Sequence, residues 1–283
     1  MKFYKIFIII LYSCNVIAQS NNVIPIRDTC LFRIHVGFNV AGGRLRATTQ
    51  GDLTPTQNFL FSKINKGLFN LALPDVQFIL KDKIGINAGF LFFQNSTDSK
   101  TLEAGYKETE PYYYTTIANA SYESGSSPLM DRYNFTFVKC GLMGFLRPCR
   151  NMVVLPFVNA LFLVEGTYPE LKINYKEPNS NYMFERTFYT ESVNAKGINV
   201  GFSSRVYLSG NPRARKTSSI YAETTIGFNY IQTTGNTFYK DKDLYGNEIV
   251  NSGTAIRKDF KTLYIGIGFG GDLHKLARKN VKQ

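Results

Sequence analysis

The chain has no tryptophan, two histidines and four cysteines in 283 residues. So few soft and imidazole ligands leave little for a metal. Neither His35 nor His274 stands at a ligand spacing from a cysteine, so no metal and no cofactor are expected. Beyond the first twenty residues there is also no apolar run long enough to span a bilayer as a helix. The formal charge of +12 raises the question of nucleic acid. Its basic residues are scattered, however, with no helix-turn-helix pattern and no glycine-aromatic RNA signature, so nucleic acid is not an expected partner. What is abundant is 23 Phe and 18 Tyr, an enrichment that favours strands.

The amino terminus sets the compartment. MKFYKIFIIILYSCNVIAQS places Lys2 and Lys5 before an apolar run from Ile6 to Tyr12, then a polar stretch ending in Val16, Ile17, Ala18 and Gln19. That is the layout of a secretory signal cleaved after Ala18. A second reading takes Leu11, Tyr12, Ser13 and Cys14 as a lipobox with Cys14 lipidated. Export permits disulfides, and Cys140 and Cys149 are close enough in sequence to bridge the base of a hairpin.

Alternation of period two runs through much of the remainder. In TLYIGIGFGG, Leu263, Ile265, Ile267 and Phe269 share one face, and Tyr264, Gly266, Gly268 and Gly270 the other. Phe32 to Val40, Ile84 to Phe92, Ile198 to Leu208 and Ile220 to Tyr230 repeat the pattern, with Asn, Gly, Ser and charged residues on the second face. Leu71 to Leu80 changes phase at Pro74, which reads as a bulge or a late start. Tyr133 to Leu142 and Val153 to Val164 are apolar on both faces in part, and their phase stays open. These are eight candidate strands, each about the 9 to 11 residues that a tilted strand needs to cross a membrane.

The connections alternate in length. Lys81 to Lys83, Leu146 to Asn151 and Ser209 to Ser219 are the shorter ones. Gly42 to Gly67, Gln94 to Asp131, Glu165 to Glu191 and Gln232 to Asp259 are long. Short turns at one end and long loops at the other belong to an outer-membrane barrel. A sheet in lipid must also close, because an open edge would leave unpaired amides in hydrocarbon. The expected fold is therefore all-β: a closed antiparallel up-and-down transmembrane β-barrel of about eight strands, ten if the loop around Tyr112 to Tyr122 hides a hairpin. Residues 1–18 are the signal peptide, 19–271 the outer-membrane β-barrel and 272–283 a basic periplasmic tail.

The hairpin PDVQFILKDKIGINAGF, the terminal YIGIGFGGDL and the leader ending in Ala18 and Gln19 resemble the outer-membrane β-barrel domain of Bacteroidota, in the manner of OmpA- or OmpX-like and secretion-associated PorT-like small barrels. The resemblance covers most of the mature chain and implies the fold and an outer-membrane location. It carries no catalytic motif. Many outer-membrane proteins end on an aromatic residue, whereas Phe269 is followed here by a basic tail ending at Gln283.

Eight strands leave an interior just wide enough for side chains. A plugged lumen is therefore expected, with a polar network of Arg33, His35, Arg205 and Glu223. Arg205 and Glu223 lie on adjacent strands, directly opposite or one diagonal apart. Arg33 and His35 lie beside the last strand, where Gly266 and Gly268 would make room for them. Tyr112, Tyr113 and Tyr114 in the longest loop are contact candidates. The expected role is structural or interactive, in a secretion or assembly machinery, with outer-membrane lipid and envelope proteins as partners. A narrow pore or small-ligand binder is the alternative. A lipid-modifying enzyme using His35 as base is the third reading, weakened by the lack of a serine motif.

Overall fold

A computed structural model describes residues 30–53, 67–81, 83–96, 121–126, 132–149, 152–176, 183–209, 219–242, 248–250 and 253–277. The leader, the loop tyrosines Tyr112 to Tyr114 and the last six residues lie outside this set. Among the described residues there are twelve strands: β1 (Cys30–Gln50), β2 (Gly67–Leu80), β3 (Ile84–Ser96), β4 (Ser121–Ser126), β5 (Arg132–Gly144), β6 (Leu146–Cys149), β7 (Met152–Thr167), β8 (Leu171–Lys176), β9 (Met183–Ser209), β10 (Ile220–Lys242), β11 (Glu248–Val250) and β12 (Thr254–Ala277). Eight of them, β1, β2, β3, β5, β7, β9, β10 and β12, pair in that order, every neighbour antiparallel, and β12 returns to β1. The sheet is thus closed into an eight-stranded up-and-down barrel with no edge at membrane level.

The outer surface explains why the chain needs a membrane. Leu80, Ile84, Ile86, Phe90, Leu142, Val158, Phe162, Ile198, Phe202, Val206, Leu208, Ile220, Leu263 and Ile267 are all exposed. They occupy the outward positions of successive strands and form a continuous apolar band. A soluble monomer rarely exposes a contiguous apolar patch of more than a few hundred Å². Hydrocarbon contact removes that cost, and closure satisfies the backbone. No helix among the described residues is long and apolar enough to cross a membrane.

Both strands of open phase are now resolved. Val138, Cys140 and Leu142 of β5 face outward, while Tyr133, Phe135, Phe137 and Lys139 are buried inside. On β7, Val158 and Phe162 face outward, and Val153, Leu155, Asn159 and Leu161 inward. Periodicity failed on these strands because the interior is itself partly apolar, so both faces look alike. At Pro74 the phase of β2 does change. Its register slips between Ala72 and Asp75 against β3, opposite a slip between Gly37 and Asn39 on β1. The slip turns Asp75 inward. Gly89 lies against it, where a Cβ would collide with the Pro74 carbonyl oxygen.

Two boundaries differ from the sequence reading. Two of the long connections, Glu165–Glu191 and Gln232–Asp259, are largely sheet: β9 has 27 residues, β12 24 and β10 23. A tilted crossing needs only about 9 to 11 residues. The surplus of β9 and β10 continues beyond the band as a paired ribbon up to Glu185 opposite Lys242, flanked by β8, β4 and β11. Strand propensity persists there because Tyr, Phe and Thr dominate Thr187–Thr190 and Thr233–Tyr239. In addition, β12 runs to Ala277, pairing with β1 up to Cys30, so Asp272 belongs to the barrel wall and not to a tail.

Candidate functional site

Inward side chains meet at three levels. At the end with the short turns, β9 and β10 set Arg205 directly opposite Glu223, and Arg205 Nε donates to Glu223 Oε2 over 2.5 Å. Ring closure brings two more strands, β1 and β2, to the same guanidinium. Arg205 NH2 donates to Gln77 Oε1 of β2 at 2.7 Å, and NH1 lies 2.6 Å from His35 Nδ1 of β1. The guanidinium carbon also sits 4.2 Å from the centre of the Tyr221 ring.

A guanidinium can only donate, so His35 Nδ1 is the acceptor and the imidazole proton sits on Nε2. That nitrogen faces Asp272 Oδ1 at 2.9 Å, close but poorly aligned for a hydrogen bond. Arg33 NH1 lies 3.9 Å from the other Asp272 oxygen. Arg33, His35 and Arg205 are essentially inaccessible to solvent. Each of the two buried cations has a carboxylate beside it, Glu223 for Arg205 and Asp272 for Arg33, as burial requires. Ile79, Met143, Phe145, Val153, Leu155, Tyr207 and Tyr221 form an apolar cluster at this level.

The middle level is polar. Lys139 Nζ donates to Asp75 Oδ1 at 2.9 Å, and Gln77 Nε2 to Asp75 Oδ2 at 3.2 Å. Across the lumen an amide ladder runs from Asn159 to Asn199 at 3.0 Å, then from Asn199 to Asn229 at 2.5 Å and to the Tyr264 hydroxyl at 2.6 Å. Thr225 links Asn39, Ser203 and Glu223. Between these groups is a cavity lined by Asn39, Asn70, Asn87, Lys139, Asn199 and Tyr264, among others. Only about 40 Å³ of it admits the centre of a water molecule. One water needs about 10–15 Å³ on that measure, so the cavity has room for about three or four waters.

The third level, toward the long connections, is aromatic. Phe93, Tyr133, Phe135, Tyr168 and Phe260 pack with ring centroids of the closest pairs 5.1 to 6.0 Å apart, mostly tilted or edge to face. Such pairs add about 0.5–1.5 kcal/mol beyond their area burial. Lys258 Nζ is held there by Thr49 Oγ1 at 3.1 Å and lies 4.9 Å from the Tyr133 ring centre.

No protein-family model and no curated protein matches this chain. Among solved structures, similar chains include the CymD monoaromatic hydrocarbon channel, at 8% identity over 86% of this chain and 89% of that one, with a TM-score of 0.26. The P. putida toluene transporter TodX matches at 8% identity over 89% and 91%, with a TM-score of 0.23. The outer-membrane protease OmpT of Escherichia coli matches at 8% identity over 89% and 100%, with a TM-score of 0.21. At such scores these likenesses carry no argument about this chain, and its fold stands on its own strand pairing.

Arg33, His35, Arg205 and Glu223 are thus brought into one network. Gly266 and Gly268 do not make room for Arg33 and His35. A Cβ at either glycine would meet Asn39, and the bare Gly270 lies under the Tyr221 hydroxyl. Cys140 is a free thiol on the outer face, so the expected bridge to Cys149 is not made. Cys140 pairs laterally with Ala88 and Ala160, well along β5 from the turn where Cys149 pairs with Met152. The side chain of Cys149 lies outside the described residues, as do Tyr112, Tyr113 and Tyr114.

Sequence reasoning missed Gln77, Asp75, Lys139, Asn159 and Asp272. Gln77 and Asp75 follow the Pro74 slip, which was the available signal. Lys139 and Asn159 sit on the two strands of open phase, and Asp272 lay beyond the assigned barrel end. Among the described residues no group of His, Cys, Asp and Glu is arranged to hold a metal.

Proposed function

We propose that this protein is an integral outer-membrane barrel with a plugged lumen, whose role is structural or interactive in the cell envelope. The observation that carries it is the filling of the interior at two separate levels, the Arg205 network below and the aromatic layer around Phe135 above, with only a water-sized cavity between. A solute would have to displace both. The β9 and β10 ribbon beyond the apolar band supplies a sheet-built wall on which a partner can dock, and a secretion or assembly machinery of the Bacteroidota type is the partner class that fits the resemblance.

The polar middle level favours a narrow pore as second reading, because it would solvate a small ion if the two layers opened. An enzyme is disfavoured. A general base needs a free lone pair, and that of His35 Nδ1 is taken by Arg205.

The test is photocrosslinking in intact envelopes followed by mass spectrometry. Probes at Thr190 and Lys242 on the wall are expected to yield the same protein adduct, whereas a probe at Ile265 in the band yields lipid alone. Wall probes that return no protein adduct would overturn the interaction role.

A further inference from the structure

Just above the apolar band, on the side of the long connections, basic residues gather mainly on one flank of the outward face. On β1 the outward residues after Val40 and Gly42 are Arg44 and Arg46. On β12 they are Lys261, Asp259 and Arg257, directly above Leu263 and Ile265, and on β9 Lys196 stands above Ile198. Register makes these residues neighbours. Arg46 is directly opposite Lys261, Arg44 is opposite Leu263, and Gln232 of β10 lies between Lys196 and Asp259.

Arg44, Arg46, Lys196 and Lys261 are exposed, and no ion pair engages any of them among the described residues. Asp259 is the acid within this group, and it is occupied. Arg257 Nε lies 3.3 Å from one of its oxygens, and the Tyr230 hydroxyl donates to the other at 3.1 Å. At the same level on β3 and β5 the outward residues are Gln94, Asn134 and Thr136, and on β7 Glu165. Arg132 is also outward on β5, one outward position beyond Asn134, so the basic residues are concentrated on the flank formed by β9, β10, β12 and β1 and not restricted to it.

Like charges directly opposite across a strand pair destabilise the sheet unless something neutralises them. Here Arg46 and Lys261 meet at the level where lipid headgroups begin, with apolar side chains immediately below for acyl chains. Arginine presents a fork that matches phosphate. We infer that this flank binds the phosphate-bearing headgroup of an outer-leaflet lipid, with Arg44, Arg46 and Lys261 on the phosphate and Leu263, Ile265 and Phe228 against the chains. The site rests on the membrane-barrel reading and adds a ligand to it. It also makes the β9, β12 and β1 side of the barrel more basic than the β3, β5 and β7 side, whose outward charges at this end are Glu165 and Arg132.

Native mass spectrometry of the folded full chain in neutral detergent tests this, with diphosphorylated lipid A as probe and inorganic phosphate and phosphatidylcholine as alternatives. The wild-type chain should retain lipid A. A triple variant Arg44→Gln, Arg46→Gln, Lys261→Gln should lose on the order of a hundredfold in apparent affinity, since each cation near an anionic surface contributes about fivefold. Lys81→Gln with Lys83→Gln, exposed in the turn at the opposite end, should change nothing. Heat-modifiable gel migration reports folding in each case. Equal retention by the folded triple variant would overturn the site, as would phosphatidylcholine or inorganic phosphate competing as well as lipid A. A wild-type chain without a heat-modifiable form would overturn the barrel reading itself, so the two failures are distinguishable.

Discussion

The two ends of the interior are filled by opposite means. Toward the short turns, Arg33, His35, Gln77, Arg205, Glu223 and Asp272 converge from five strands and compensate one another. Toward the long connections, Phe93, Tyr133, Phe135, Tyr168 and Phe260 fill the same cross-section with rings. A charged filling is directional: each member depends on a partner held by another strand, so one loss strands the rest. An aromatic filling is graded, and losing one ring leaves a cavity whose lining can partly relax. The difference teaches that the lower level enforces closure register while the upper level supplies bulk.

Substitutions separate the two. Arg205→Met should have the largest effect, about 3–5 kcal/mol in urea unfolding from lipid vesicles, because it leaves Glu223 buried without its cation. Phe260→Ala should cost about 3 kcal/mol at the upper level and leave migration of the folded form unchanged, which would sharpen the contrast between register and bulk. Lys139→Met, at the middle level, should cost about 2 kcal/mol by leaving the buried Asp75 carboxylate without its cation and with Gln77 as its remaining donor.

The smallest effect belongs outside the band. Partial burial pushes the Asp259 carboxyl up, but hydrogen bonds from Arg257 and Tyr230 outweigh it and hold the group below the usual carboxylate range. Its contribution is therefore present above the unfolded carboxylate range and disappears as pH falls through the lowered folded value. Asp259→Asn should remove a few tenths of a kcal/mol at neutral pH and nothing at strongly acid pH, as expected for an exposed pair. Vesicle unfolding curves at the two pH values would check it. A loss that persists in acid would mean that Asp259 acts through packing and not charge.

The outer surface was the legible part. Lipid accepts only apolar groups, so Leu263, Ile265, Ile267 and Phe269 announce their direction, and the same holds for Ile198 to Leu208 and Ile84 to Phe92. The interior was legible only where it is polar and close to a turn, as with Arg205 and Glu223. Its other partners could not be read, because His35 and Arg205 are 170 residues apart and meet only after β12 closes on β1. On β5 and β7 the aromatic filling erased the contrast between faces, which hid Lys139 and Asn159. The glycines of β12 were expected to make room for Arg33 and His35, but register gives that room to Asn39 and Tyr221.

The central claim is that these two levels together close the lumen. Single-channel recording of the folded wild-type barrel in planar bilayers tests it most directly. The account predicts a baseline without steady conductance steps, at either polarity. Steady steps of uniform size from the wild-type chain would contradict it.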